Sequence, residues 1–294
     1  MAASLLISKN PCHVRSTSLP ARSHPVALRI ADQLQKLRAF KAPASSSSSS
    51  SALSDALGGL ADLYDCVEDL LQSPLTQQAL ASNALCVDEM LDGSLRMLDL
   101  CETATDALKL MKGSAEDLLS ALRRRDSSSL RSQVGGWISS RKKMQKNMNR
   151  CLKALKKTDK DDEHHVGVVG VLREVRRVTI SALEALSSFI SLSRPATAAR
   201  QSLVSKWMLG SAGKVACVEE IENMHEVEKV DSCLCSFHNR KSLKFDADGC
   251  EWMQNMQKSL MGLDESLRSL EDGLDHVFRR LIKARVSLLN ILNH

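Results

Sequence analysis

Aromatic side chains are scarce in this chain of 294 residues: three Trp, one Tyr and five Phe make up 3% of it. Glycine (13) and proline (6) are few as well. A β-sandwich or barrel needs frequent turns and β-forming side chains, so this shortage argues against both. No apolar run approaches the ~18 residues of a spanning helix, so an integral membrane protein is not expected. Neither sign of charge dominates: 40 Lys and Arg against 35 Asp and Glu leave +5. A nucleic-acid binder concentrates far more positive charge, and no nucleic-acid partner is expected. Nine cysteines, an odd number, are scattered through apolar positions and no secretory signal precedes them: Leu5-Leu6-Ile7 is too short an apolar core. They read as small buried hydrophobes in a reducing, intracellular compartment. With 43% hydrophobic residues, the chain has ample material for one large domain or two small ones.

What is present is helical periodicity. Pro25 suits the first position of a helix, and a short helix is expected over 25–41. The serine run Ser45–Ser51 cannot bury a core, so 42–52 reads as a linker. Then Leu53, Leu57, Leu60, Tyr64, Val67 and Leu71 alternate four-three spacing. Ser73-Pro74 starts another helix, whose stripe runs Leu91, Leu95, Leu98, Cys101, Thr105 and Leu108, with a kink or restart at Gly113-Ser114. A basic helix follows from about Leu130 to Lys157, closed by an acidic turn at Asp159–Glu163. The next spans about Val168 to Ser193, with Leu172, Val175, Leu183, Leu186 and Ile190 inward. A short helix is expected near Ala198–Met208, and 211–247 reads as a mobile loop with broken helix. From Met253 through Met256, Leu260, Leu263, Leu267, Leu270, Leu274, Val277, Leu281, Ala284, Leu288 and Ile291 the three-four alternation is unbroken, a coiled-coil-like seam. Phe278, Ile282, Leu289 and Leu292 widen it, which favours burial inside the chain; a homodimer through Leu260–Ile291 is the alternative. The expected fold is therefore all-α: a disordered basic tail over 1–24, then an elongated helical bundle over 53–294 with a long C-terminal helix.

Chemical motifs fail on inspection. Gly210–Lys214 resembles a phosphate loop, but Met208 and Val215 occupy its glycine and Ser/Thr positions. Asp246–Gly249 resembles a calcium loop whose frame puts Lys244 and Asn255 at ligand positions. Cys233, Cys235 and His238, with His225, Cys217 and Cys250, match no structural zinc spacing and read as ordinary thiols. His164-His165, beside Asp161, Asp162 and Glu163, reads as an exposed polar turn. No catalytic, metal or cofactor residues are assigned, and no enzyme is expected.

Two features suggest contacts. On the basic helix Trp137, Met144, Met148, Cys151 and Leu155 form one stripe, while Arg141, Lys142, Lys143, Lys146, Arg150 and Lys153 cover the other faces. Such a helix suits a bundle with solvated lysines, an anionic membrane surface or a calmodulin-type target. In the tail, Arg15 stands three before Ser18 and Pro20 two after it. Phosphorylated Ser18 would suit a 14-3-3 protein. The absence of acids before Asp32 also fits a transit peptide, so a plastid is the alternative to a cytoplasmic or membrane-peripheral location.

Long blocks of the chain resemble one family. His13–Pro25 (HVRSTSLPARSHP), residues 60–80 (LADLYDCVEDLLQSPLTQQAL), 140–145 (SRKKMQ), 179–193 (TISALEALSSFISLS) and 270–294 (LEDGLDHVFRRLIKARVSLLNILNH) are similar to the plant-specific BYPASS-like proteins. The resemblance implies a role in root and shoot development. It implies no catalytic residue, because the family defines none, and it strengthens the plastid alternative. A non-enzymatic protein working through protein contacts in signalling is the resulting expectation. A peripheral membrane module and an enzyme acting on a small signalling compound are the alternatives.

Overall fold

The computed structural model describes residues 25–39, 49–157, 167–191, 225–238 and 247–293. Among these are eight helices and no strand: α1 (Pro25–Ala39), α2 (Ser50–Leu71), α3 (Pro74–Ala81), α4 (Ala84–Arg124), α5 (Ser127–Lys157), α6 (Val168–Ile190), α7 (Glu226–His238) and α8 (Ala247–Asn293). The Ser18 motif, the acidic turn and the expected Ala198–Met208 helix lie outside the described residues.

The 47-residue α8 extends about 70 Å and packs along both α2 and α4. Every residue of its three-four seam from Met253 to Ile291 is buried, and the α2 stripe Leu53–Leu71 is buried with it. Each such leucine contributes roughly 1.5–3 kcal/mol by leaving water. The seam that could have served a second copy is therefore filled from within the chain. Gly273 allows a close approach to α2: a Cβ there would stand 3.1 Å from Leu57 Cβ. The widening holds at Phe278 and Leu292, which are partly buried against the core, and fails at Ile282 and Leu289, which are exposed with Val286 on the outer side.

Local chemistry moves several boundaries. The serine run ends inside a helix, because the Ser49 hydroxyl accepts from Ala52 N at 3.2 Å, Ser50 pairs with Ser266 and Ser54 with Ser269 of α8. Helix α2 thus begins at Ser50 instead of Leu53. Between α3 and α4 the chain breaks at Ser82-Asn83, whose side chains donate back to Gln78 O and Ala79 O. By contrast α4 runs through Gly113-Ser114 without interruption. Its inner face includes Gly93 and Ser94, and Leu95 is exposed. Polar residues turn inward there because Arg285 of α8 donates to Leu91 O and Ser94 Oγ, and the buried Arg176 of α6 lies against Gly93.

Helix α6 crosses α2, α4 and α5. It ends at Ile190, three residues before the expected end. The buried Tyr64 hydroxyl meets Thr179 at 3.0 Å. Helix α7 lies inside the segment expected to be a mobile loop with broken helix. Val227, Val230, Leu234 and Phe237 are buried, and α7 packs against α8 and α5.

Candidate functional site

The start of helix α5 is defined by polar residues. Arg125, in the left-handed region at φ 53, terminates α4. Asp126 then caps α5, its Oδ1 accepting from Ser128 N at 3.0 Å and Ser129 N at 3.1 Å. The Ser128 hydroxyl donates to the same oxygen at 2.7 Å, and it leads these bonds in holding the Asp126 carboxyl below its usual range; the cap starts the helix at Ser127, ahead of the apolar pattern.

The inner face of α5 is Leu130, Val134, Trp137, Arg141, Met144, Met148, Leu152 and Leu155, all buried. Trp137, Met144, Met148 and Leu155 are thus committed to the bundle, with Cys151 half-buried, and this stripe is unavailable to a calmodulin-type groove. On the opposite side, Lys142, Lys143, Lys146, Arg150 and Lys153 are exposed. At about 100° per residue these five fall within roughly 100° of one another, over about 17 Å of helix. The 31 residues of α5 hold nine Lys and Arg and no Asp or Glu. None of the five ridge cations is ion-paired with a carboxylate among the described residues.

Several cations on other surfaces are neutralised locally. Arg268 pairs with Asp264 at 2.8 Å, Arg279 with Asp275 at 2.7 Å, Arg280 with Asp65 at 3.1 Å and Arg29 with Asp69 at 3.0 Å. Elsewhere on α5, Lys156 reaches Glu184 of α6 and the buried Arg141 reaches Asp231 of α7. The ridge therefore presents five clustered cations whose positive potential no described carboxylate cancels at contact distance.

Arg141 is a correction to the sequence reading. It is 0% exposed and holds three elements together. Its Nε donates to Ile190 O at 2.7 Å and Nη2 to Ser191 O, while Nη1 meets Asp231 Oδ1 of α7 at 3.2 Å. Trp137 Nε1 donates to the same Asp231 oxygen at 2.8 Å, and the guanidinium lies 5.4 Å from the Trp137 ring centroid. Burial raises the Asp231 pKa, and Arg141 and Trp137 work against that rise. The reason for the misplacement is spacing: Arg141 follows Trp137 by four and precedes Met144 by three, which puts it on the apolar stripe. It anchors α7 and the end of α6 behind the ridge and takes no part in the ridge surface.

His225 completes the α7 anchor. Its Nδ1 accepts from Glu228 N at 3.3 Å as a helix cap, and its ring lies 5.0 Å from Phe189. Burial lowers its pKa below the ordinary 6.5; Glu228 and Glu226 oppose that shift and Arg141 and Lys229 add to it. A lowered histidine pKa stabilises the fold above the unfolded value, and the contribution is lost as pH falls through the folded one. Stability is therefore expected to decline below about pH 6.5. His225→Asn keeps a capping acceptor without titrating, so it should flatten that limb in melting curves. An unchanged limb in the variant would assign the decline to other groups.

A shallow cleft of about 240 Å³ between α1 and α2 is lined by Arg29, Asp32, Gln33, Asp62, Asp65 and Cys66. The Cys66 thiol there is pushed up by burial, which disfavours the nucleophilic thiolate. Cys101 is pushed up to about 12 for the same reason. Among the described residues no group of three or more His, Cys, Asp or Glu is placed to hold a metal ion. The side chains of Cys235 and His238, and Cys217 entirely, lie outside the described residues. No described helix is long and apolar enough to cross a membrane.

Fold and site together define an all-α bundle whose distinguishing surface is a cationic helix flank. The chain belongs to the Protein BPS1 family, whose model matches residues 56–291. That membership bears out the resemblance to BYPASS-like proteins and supports a role in plant development. No curated protein and no solved structure matches the chain.

Proposed function

We propose that this chain is a non-enzymatic protein of root and shoot development that works in signalling by binding, with the α5 ridge as its contact surface. One observation carries the reading: five exposed cations on one flank, with no acid on their helix. Uncompensated like charges repel one another in the isolated protein, and an anionic partner relieves that repulsion. The Arg15–Ser18–Pro20 motif is a second contact in the same scheme, directed at a 14-3-3 protein after phosphorylation of Ser18.

The test is growth of plants that lack the native protein and carry a Lys142→Glu, Lys143→Glu, Lys146→Glu variant. All three side chains are exposed, so the variant should melt within about 1 kcal/mol of the native protein. It is expected to accumulate normally, to lose ridge-dependent partners in affinity purification, and to leave root and shoot growth unrestored. Full restoration of growth would remove the ridge from the function.

A further inference from the structure

We infer that the occupant of the α5 ridge is the headgroup layer of an anionic lipid bilayer, bound without insertion of the helix. This rests on the contact reading above and names its partner.

Three observations select a lipid surface. The first is charge: Lys142, Lys143, Lys146, Arg150 and Lys153 are exposed and meet no described carboxylate. A cation held near an anionic leaflet contributes about 1 kcal/mol, or about fivefold in partition. The second is the lack of an anchor. Protein interfaces centre on desolvated aromatic or apolar residues and are depleted in lysine. Among the described residues, none of the exposed large hydrophobics lies on α5. Four of the five cations are lysines, hydrated point charges on flexible stems, without the planar fork that matches a fixed carboxylate. Mobile headgroups arrange themselves around such charges and need no fixed complement. The third is the fate of the other face. Trp137, Met144, Met148, Leu152 and Leu155 are buried in the bundle, so the helix has no free apolar side to sink among acyl chains. The result is reversible, salt-sensitive surface binding. A nucleic acid would meet the same charge, but the ridge offers no exposed aromatic for bases to stack on.

The experiment is co-sedimentation of the full chain with vesicles of phosphatidylcholine alone and of phosphatidylcholine with phosphatidylserine. Binding is expected to the second and not the first. It should vanish near 1 M salt, where the screening length falls to about 3 Å. Lys142→Gln, Lys143→Gln, Lys146→Gln should lower the partition about 100-fold at unchanged melting temperature. A lipid monolayer should show no rise in pressure. Equal binding to neutral vesicles, native binding by the triple variant, or preference for an acidic peptide or RNA over the anionic vesicles would overturn the lipid assignment. If anionic vesicles are ignored while the Glu variant still fails in plants, the lipid assignment falls and the contact reading stands. If that variant restores growth, both fall.

Discussion

Replacing Arg141 by methionine is expected to cost about 3–5 kcal/mol of stability, the effect of removing one partner from a buried ion pair. In a chain of this size that corresponds to a fall in melting temperature of about 10 °C. Methionine retains the length of the stem and the packing against Trp137, so the loss is mainly electrostatic. Asp231 keeps only the Trp137 donor, its second oxygen already lacks a hydrogen-bond partner, and Ile190 O and Ser191 O lose theirs. The penalty has a definite pH dependence. Burial already raises the Asp231 pKa, so ionising it opposes folding: the group favours the fold below the unfolded carboxylate pKa, and that contribution is lost as pH rises through the folded value. Without Arg141 the folded value rises further, so the deficit should shrink on acidification toward about pH 5. A second change, Asp231→Asn, should restore part of the stability near neutrality, because the amide carries no charge and can still accept from Trp137. Hydrogen exchange should show α7 losing protection first, since its attachment is removed directly. A single variant within about 1 kcal/mol of the native protein across this range would show that the pair holds nothing together.

The Arg141 case also shows why the ridge was legible and its support was not. Lys142, Lys143, Lys146, Arg150 and Lys153 could be placed outward because the apolar stripe on the same helix fixes its inner direction. Arg141 fits that stripe's spacing, but its charge made it look like one more surface cation. Its acid lies ninety residues away in sequence, on a helix expected to be part of a loop. Helix α7 carries the spacing Val227, Val230, Leu234, Phe237, yet its 13 residues give only one pass of the pattern. Long elements repeat their evidence and short ones do not, so α8 and α2 could be read almost residue by residue. Helix α4 shows the converse failure: the spacing of its stripe places Leu95 inward, but arginines arriving from α6 and α8 require Gly93 and Ser94 to face the core. Such tertiary demands leave no local signature. At Ser50 and at Ser82-Asn83 the boundary depends on individual side-chain hydrogen bonds, which composition does not resolve.

Truncating Leu274→Ala should cost about 2–5 kcal/mol, the range for a leucine fully enclosed by packed neighbours. Leu274 is 0% exposed in the middle of the α8 seam, beside the close approach of Gly273 to Leu57. Leu274→Asp should abolish stable folding, because the unpaired carboxylate would add a desolvation cost to the cavity. Ile282→Ala, on the same helix but 42% exposed, should stay within about 0.5 kcal/mol of the native protein. The pair of alanine variants separates burial from hydrophobicity, since both remove a large aliphatic side chain. It also separates two uses of the seam. Where α2 and α4 of the same chain fill it, the melting temperature of the native protein and the size of the Leu274→Ala deficit are independent of protein concentration. A seam shared between copies would make both rise with concentration by mass action. Equal deficits for Leu274→Ala and Ile282→Ala, or a melting temperature that climbs on concentrating the protein, would contradict the packing of α8 against α2 and α4.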